Sequence, residues 1–142
     1  MPERILVPLD LSERSERAVE YAAGLARHLG SSIVLVVNVN DPERSALEEF
    51  AHDERITIEQ AAEAALGRVA SRLASDLETT VTVRSADSPV EGILEAVEYT
   101  DSDMIVVASH GRTGMTRWLL GSVAEKLARG SDVPVLIVPT RS

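Results

Sequence analysis

Short apolar runs and helical periods alternate along the chain. Ile5–Leu9 and Ile33–Val39 are continuous apolar runs rich in branched side chains, the pattern of strands buried on both faces. Met104–Val107 and Val135–Val138 repeat it. Thr80–Arg84 alternates valine with polar residues, which predicts an edge strand with one wet face. Helical signals fill the intervals. Ala18, Tyr21, Ala22, Leu25 and Leu29 keep helical spacing behind a turn with Asp10 and Ser12, and Gly30 is placed as a left-handed stop. Thr57-Ile-Glu-Gln60 is a capping box, and the alanine-rich run behind it predicts a long helix to Leu77. Ser88-Pro89-Val90-Glu91 offers a serine N-cap, a proline at the first helical position and a glutamate at N3; its helix is expected to reach about Thr100. Ser122-Val-Ala-Glu125 reads as another capping box, opening a helix that ends at Gly130. Asp41–Thr57 follows neither period and is read as a loop with a short helical piece.

Five strands separated by helices predict an α/β fold of one domain over residues 1–142, a parallel sheet covered on both faces. Right-handed crossovers wind strands 1 to 3 one way and strands 4 and 5 the other, giving a doubly wound, Rossmann-like sheet of order 3-2-1-4-5. Ligands in such sheets sit beyond the carboxyl ends of the strands, where the order reverses. Here that place lies between strands 1 and 4, and the segments Pro8–Ser12 and Ala108–Ser122 face each other across it. Both break local rules. Pro8 stands near the end of a central strand, where proline is unwelcome. The second segment is longer than the ~2–6 residues usual for this connection.

Composition narrows the function classes. The chain has 142 residues and no cysteine, which excludes a disulfide scaffold and a thiolate metal site. Acidic residues outnumber basic ones 23 to 14, and the net charge of −9 argues against binding nucleic acid or an anionic membrane surface. No apolar run approaches the ~18 residues of a membrane span, and no secretory leader is evident at the N-terminus, so the chain is read as cytoplasmic. Lys126 is the only lysine. An acidic, lysine-poor surface fits a salt-loving source or an ordinary cytosolic protein with an arginine bias, and both readings stay open.

The acids leave a long gap at the second of these segments. Residues 105–124 contain no acid, and they carry His110, Arg112 and Arg117. The same stretch offers Gly111, Gly114 and Gly121 for close backbone approach and runs into a helix N-terminus, a natural anion site. It contains neither a Walker A loop nor a G-x-G-x-x-G fingerprint. His28 and His52 lack metal-ligand spacing and are read as surface residues.

Ser109-His110-Gly111, nine residues, then Gly121-Ser122 resembles the signature of the universal stress protein family, in its ATP-binding class. Ile5-Leu6-Val7-Pro8-Leu9-Asp10, Ser88 to Leu94, and Pro134 to Val138 are similar to the family's first strand, third-helix start and last strand. The resemblance implies an adenine nucleotide alpha hydrolase-like fold and ATP, with Mg2+, in the crevice. It assigns Pro8 and Asp10 to line the nucleotide, Asp10 meeting ribose or a metal-bound phosphate. Val39 becomes the adenine contact, flanked by Asn38 and Asn40, which can add a base-edge hydrogen bond. Ala108, Ser109, His110, Gly111, Gly121, Ser122 and Val123 are assigned to ribose and phosphates. It also implies a homodimer formed through Val135–Val138. The protein itself supplies no metal site, and efficient turnover is not expected, since no acid in the loop is placed to activate water.

One residue departs from the signature: Ala108 stands where the family has its first glycine. A methyl group there opens the alternative of a dimeric scaffold of the same family that binds no nucleotide. A phosphoacceptor receiver domain fits poorly, because only Asp10 follows strand 1 and the sole lysine lies inside a helix.

Overall fold

The computed structural model describes residues 2–39, 57–73, 75–110 and 120–140. The elements run β1 (Arg4–Pro8), α1 (Glu13–Leu29), β2 (Ser32–Asn38), α2 (Ile58–Ser71), β3 (Thr79–Arg84), α3 (Pro89–Thr100), β4 (Met104–Ala108), α4 (Ser122–Gly130) and β5 (Val135–Val138). The five strands form one sheet of order β3-β2-β1-β4-β5, and all four pairings are parallel. The order expected from the alternation of runs is the one observed.

The continuous apolar strands divide their side chains between two cores. Ile5, Val7 and Leu9 join Ile33, Leu35, Val37 and Val39 under α1 and α2. Leu6, Val34, Val36, Ile105 and Val107 face the other way, onto Ile93 and Ala96 of α3 and Ala124 and Leu127 of α4. Odd and even positions therefore serve opposite layers, which is why every position of β1 after Arg4 is buried. β3 stands at one edge and is only partly covered along its length, as its valine–polar alternation predicts.

Helix ends follow local chemistry where the chain is exposed. The Ser12, Thr57 and Ser88 side chains each accept the N–H three residues on, and Gln60 completes the box at Thr57. Gly30 closes α1 in the left-handed conformation at φ 73° and donates its N–H to Ala26. Two expectations fail. The second helix stops at Ser71 instead of reaching Leu77: the Ser71 hydroxyl turns back to donate to the Arg68 carbonyl at 2.8 Å, in competition with continued winding. Leu77 still enters the core, but on the connection to β3. The last helix begins one residue early. Gly121 is its N-cap and Ser122 its first helical residue, so Ser122 closes no capping box. The cause is tertiary: the Gly121 N–H is donated to the Ser109 carbonyl at 2.7 Å, holding Gly121 extended. The expected loop over 41–56 and most of the glycine-bearing segment, 111–119, lie outside the described residues.

Candidate functional site

The sheet parts between its two central strands. β1 pairs with β2 as far as Pro8–Val36, and β4 pairs with β5 as far as Ala108–Val138. β1 and β4 pair only at Ile5–Met104 and Leu6–Ile105. Pro8 fits this divergence. The Leu9 N–H donates to Val36 of β2, so the adjacent residue's nitrogen points toward β4, where the ladder has ended and no donor is needed. Beyond the split lies a cavity of about 340 Å³, within the range of ~300–1,000 Å³ typical of small-molecule sites.

The segment after β1 forms one wall. Pro8, Leu9 and Asp10 line it. Asp10 Oδ1 accepts the Ser12 N–H at 2.9 Å, and Leu11 between them takes φ 66°, a left-handed conformation that costs a branched residue energy. That turn fixes the carboxylate at the rim and starts α1, whose first-turn Ser15 also lines the cavity.

The opposite wall comes from the end of β4 and the start of α4. Ala108, Ser109 and His110 line it, with Gly121, Ser122 and Val123. Ser109 is a junction. Its N–H donates to Val138, its carbonyl accepts from Gly121, and its hydroxyl accepts the Thr140 N–H at 3.1 Å. Ser109 Oγ also lies 3.2 Å from His110 Nδ1, and both residues are buried. The Ala108 side chain groups with Val106 and Val138 in the core beneath α1. Its methyl is accommodated by packing on that side of the sheet.

The floor comes from β2 and the start of α3. Asn38 is buried and lines the cavity; its Oδ1 accepts the Ala86 N–H at 2.8 Å and its Nδ2 donates to the Ala86 carbonyl at 3.1 Å. This paired bond braces the link between β3 and α3 and fixes the amide's orientation. Ser88, Pro89 and Val90 lie beside it.

Three helix N-termini thus meet one cavity. Those of α1 and α3 carry serine caps; that of α4 has no side-chain cap, and its early N–H groups are open to a ligand. Among the described residues, Asp10 is the only acid on the cavity wall, beside His110 and Lys126. Such a place favours an anion with several acceptor oxygens.

Of the residues expected at the site, Pro8, Asp10, Ala108, Ser109, His110, Gly121, Ser122 and Val123 are brought together around this cavity. Val39 is not on its wall: its side chain is in the core under α1, and its N–H donates to Arg84. Gly111 and Asn40 lie outside the described residues. Ser15, Val90 and Lys126 are among the wall residues that sequence reasoning missed. A topological signal was present for the first two, since every helix that follows a parallel strand starts at this edge of the sheet.

The model of the Universal stress protein family matches residues 1–139. The chain belongs to this family. Among its relatives, an uncharacterized protein of Schizosaccharomyces pombe is 28% identical over 132 residues, covering 91% of this chain and 22% of its own length. The chain therefore spans about a fifth of that relative. The fold of the universal stress protein MJ0577 of Methanocaldococcus jannaschii superposes with a TM-score of 0.78 at 25% identity, covering 99% of this chain and 97% of that one. The universal stress protein of Archaeoglobus fulgidus, solved in complex with dAMP, superposes with a TM-score of 0.66 at 22% identity over 94% and 95% of the two chains. Some structural neighbours in the family thus bind nucleotides. Among the described residues, no helix is long and apolar enough to cross a membrane.

Proposed function

We propose that this chain is a cytoplasmic universal stress protein that binds an adenine nucleotide, ATP with Mg2+, in the cavity between β1 and β4. One observation carries the reading: the uncapped N-terminus of α4 opens onto the cavity from a stretch free of acids in a chain of net charge −9. The Archaeoglobus protein with dAMP supports the choice of a purine nucleotide.

The residues fit such a ligand. Ser122 and Val123 offer backbone N–H groups and a hydroxyl to phosphate oxygens, with His110 beside them. Gly111 belongs to the same cradle by its place in the signature. Asp10 meets the ribose or completes the shell of a Mg2+ carried in by the phosphates, an ion that commonly takes only one or two protein carboxylates. Val39 has its side chain and N–H engaged, so its carbonyl is the group left for the adenine. The Mg-nucleotide supplies the charge that Lys126, His110 and the helix start neutralise. We expect binding without efficient hydrolysis, the nucleotide acting as a stress-response signal. Two copies associate through β5, an edge strand whose ladder is open on one side.

Denaturing the purified protein and analysing the released small molecules tests the reading. An adenine nucleotide, released or bound in a millimolar Mg-ATP titration, is the expected result. Absence of both would leave the family's scaffold role as the better reading.

A further inference from the structure

Lys126 is the one lysine of the chain, and it lines the cavity. It lies in α4, four positions after Ser122. Among the described residues it makes no ion pair. The acid next to it in sequence, Glu125, is engaged by Arg129 at 3.4 Å.

Helix geometry says where the ammonium goes. Four residues rise ~6 Å along the axis, and helical side chains lean back toward the N-terminus. The four-carbon stem of Lys126 therefore overlies the turn that begins at Ser122. Its charge can thereby reach the level of the N–H groups of Ser122, Val123 and Ala124. A cation so near a helix start opposes the macrodipole. An anion held between the two removes that conflict, since both then attract the same group.

The backbone N–H groups are fixed and reach one phosphate. The lysine is a compact charge on a flexible stem and reaches farther groups of varying position. We propose that Lys126 reads the outer phosphates of the bound nucleotide and makes the site prefer a triphosphate to a monophosphate. The proposal rests on the adenine-nucleotide reading of the cavity and adds its specificity.

The test titrates AMP, ADP and ATP, each with excess Mg2+, into the wild type, Lys126→Gln and Lys126→Arg. Wild-type affinity is expected to rise with phosphate number. Lys126→Gln is expected to weaken ATP binding roughly tenfold and AMP binding less than twofold, while Lys126→Arg keeps most of the ATP affinity. A second readout uses the wild type alone. Lys126 is its only side-chain amine, so acylation by an N-hydroxysuccinimide ester, read by peptide mass, is expected to slow with saturating ATP but not with saturating AMP. An unchanged ATP-to-AMP ratio in Lys126→Gln, or no protection by ATP that is measurably bound, overturns the role of Lys126 alone. A wild type that binds none of the three nucleotides overturns this proposal and the reading beneath it together.

Discussion

Asn38 combines two tasks that an amide can perform at once. It accepts from and donates to the same residue, Ala86, and in doing so holds the floor of the cavity. Gly92 makes room for it. A Cβ at position 92 would stand 2.5 Å from Asn38 Oδ1 and 2.9 Å from its Cγ. Gly92→Ala is therefore expected to displace the amide and cost on the order of 2 kcal/mol, despite alanine's better helix propensity. Denaturant unfolding checks this, and a variant as stable as the wild type would show the amide is free to move. Ala108 leads to the opposite expectation. Its methyl packs in the core beneath α1. Restoring the signature glycine, Ala108→Gly, should change nucleotide affinity less than threefold while lowering stability by about 1 kcal/mol. A large gain in affinity by titration would instead mean that the methyl crowds the ligand.

At the scale of elements, the four described helices separate what sequence shows from what it hides. The starts at Ser12, Thr57 and Ser88 were legible because a cap is a bond between residues three apart. The start at Ser122 was misread because a contact from Ser109, far off in sequence, holds Gly121 extended as the N-cap and brings Ser122 into the helix. The same contact brings the phosphate-binding candidates to the cavity wall. Two substitutions test this difference. Ser88→Ala should cost about 1 kcal/mol by denaturation, the usual worth of a capping serine. Ser122→Ala should cost under ~0.5 kcal/mol, as for a surface site away from such features, yet weaken nucleotide binding. An equal loss of stability in both would contradict the assignment of Gly121 as the cap. Strand order was legible from the alternation of elements. The direction of the Val39 side chain was not, because alternation along the strand turns it into the core under α1. Lys126 was passed over as a wall residue because it lies one helical turn beyond Ser122, inside the helix.

At the scale of the whole molecule, charge and architecture act together. A net charge of −9 disfavours polyanions over much of the surface, while residues 105–124 carry no acid and suit the proposed phosphate site. The split between β1 and β4 opens a cavity, and Ala108, Ser109, His110, Gly121, Ser122 and Val123 of that stretch line its wall. The open side of β5 belongs to this scale as well. Light scattering behind a sizing column is expected to report twice the 15.3 kDa chain mass. A monomer at micromolar concentration would contradict pairing through that edge. The most direct measurement is isothermal titration of the nucleotide-free protein with Mg-ATP. One saturable site per chain, lost on introducing a carboxylate by Ser122→Glu, is the expected result. No binding up to millimolar Mg-ATP, at low and at high salt alike, would contradict the central claim.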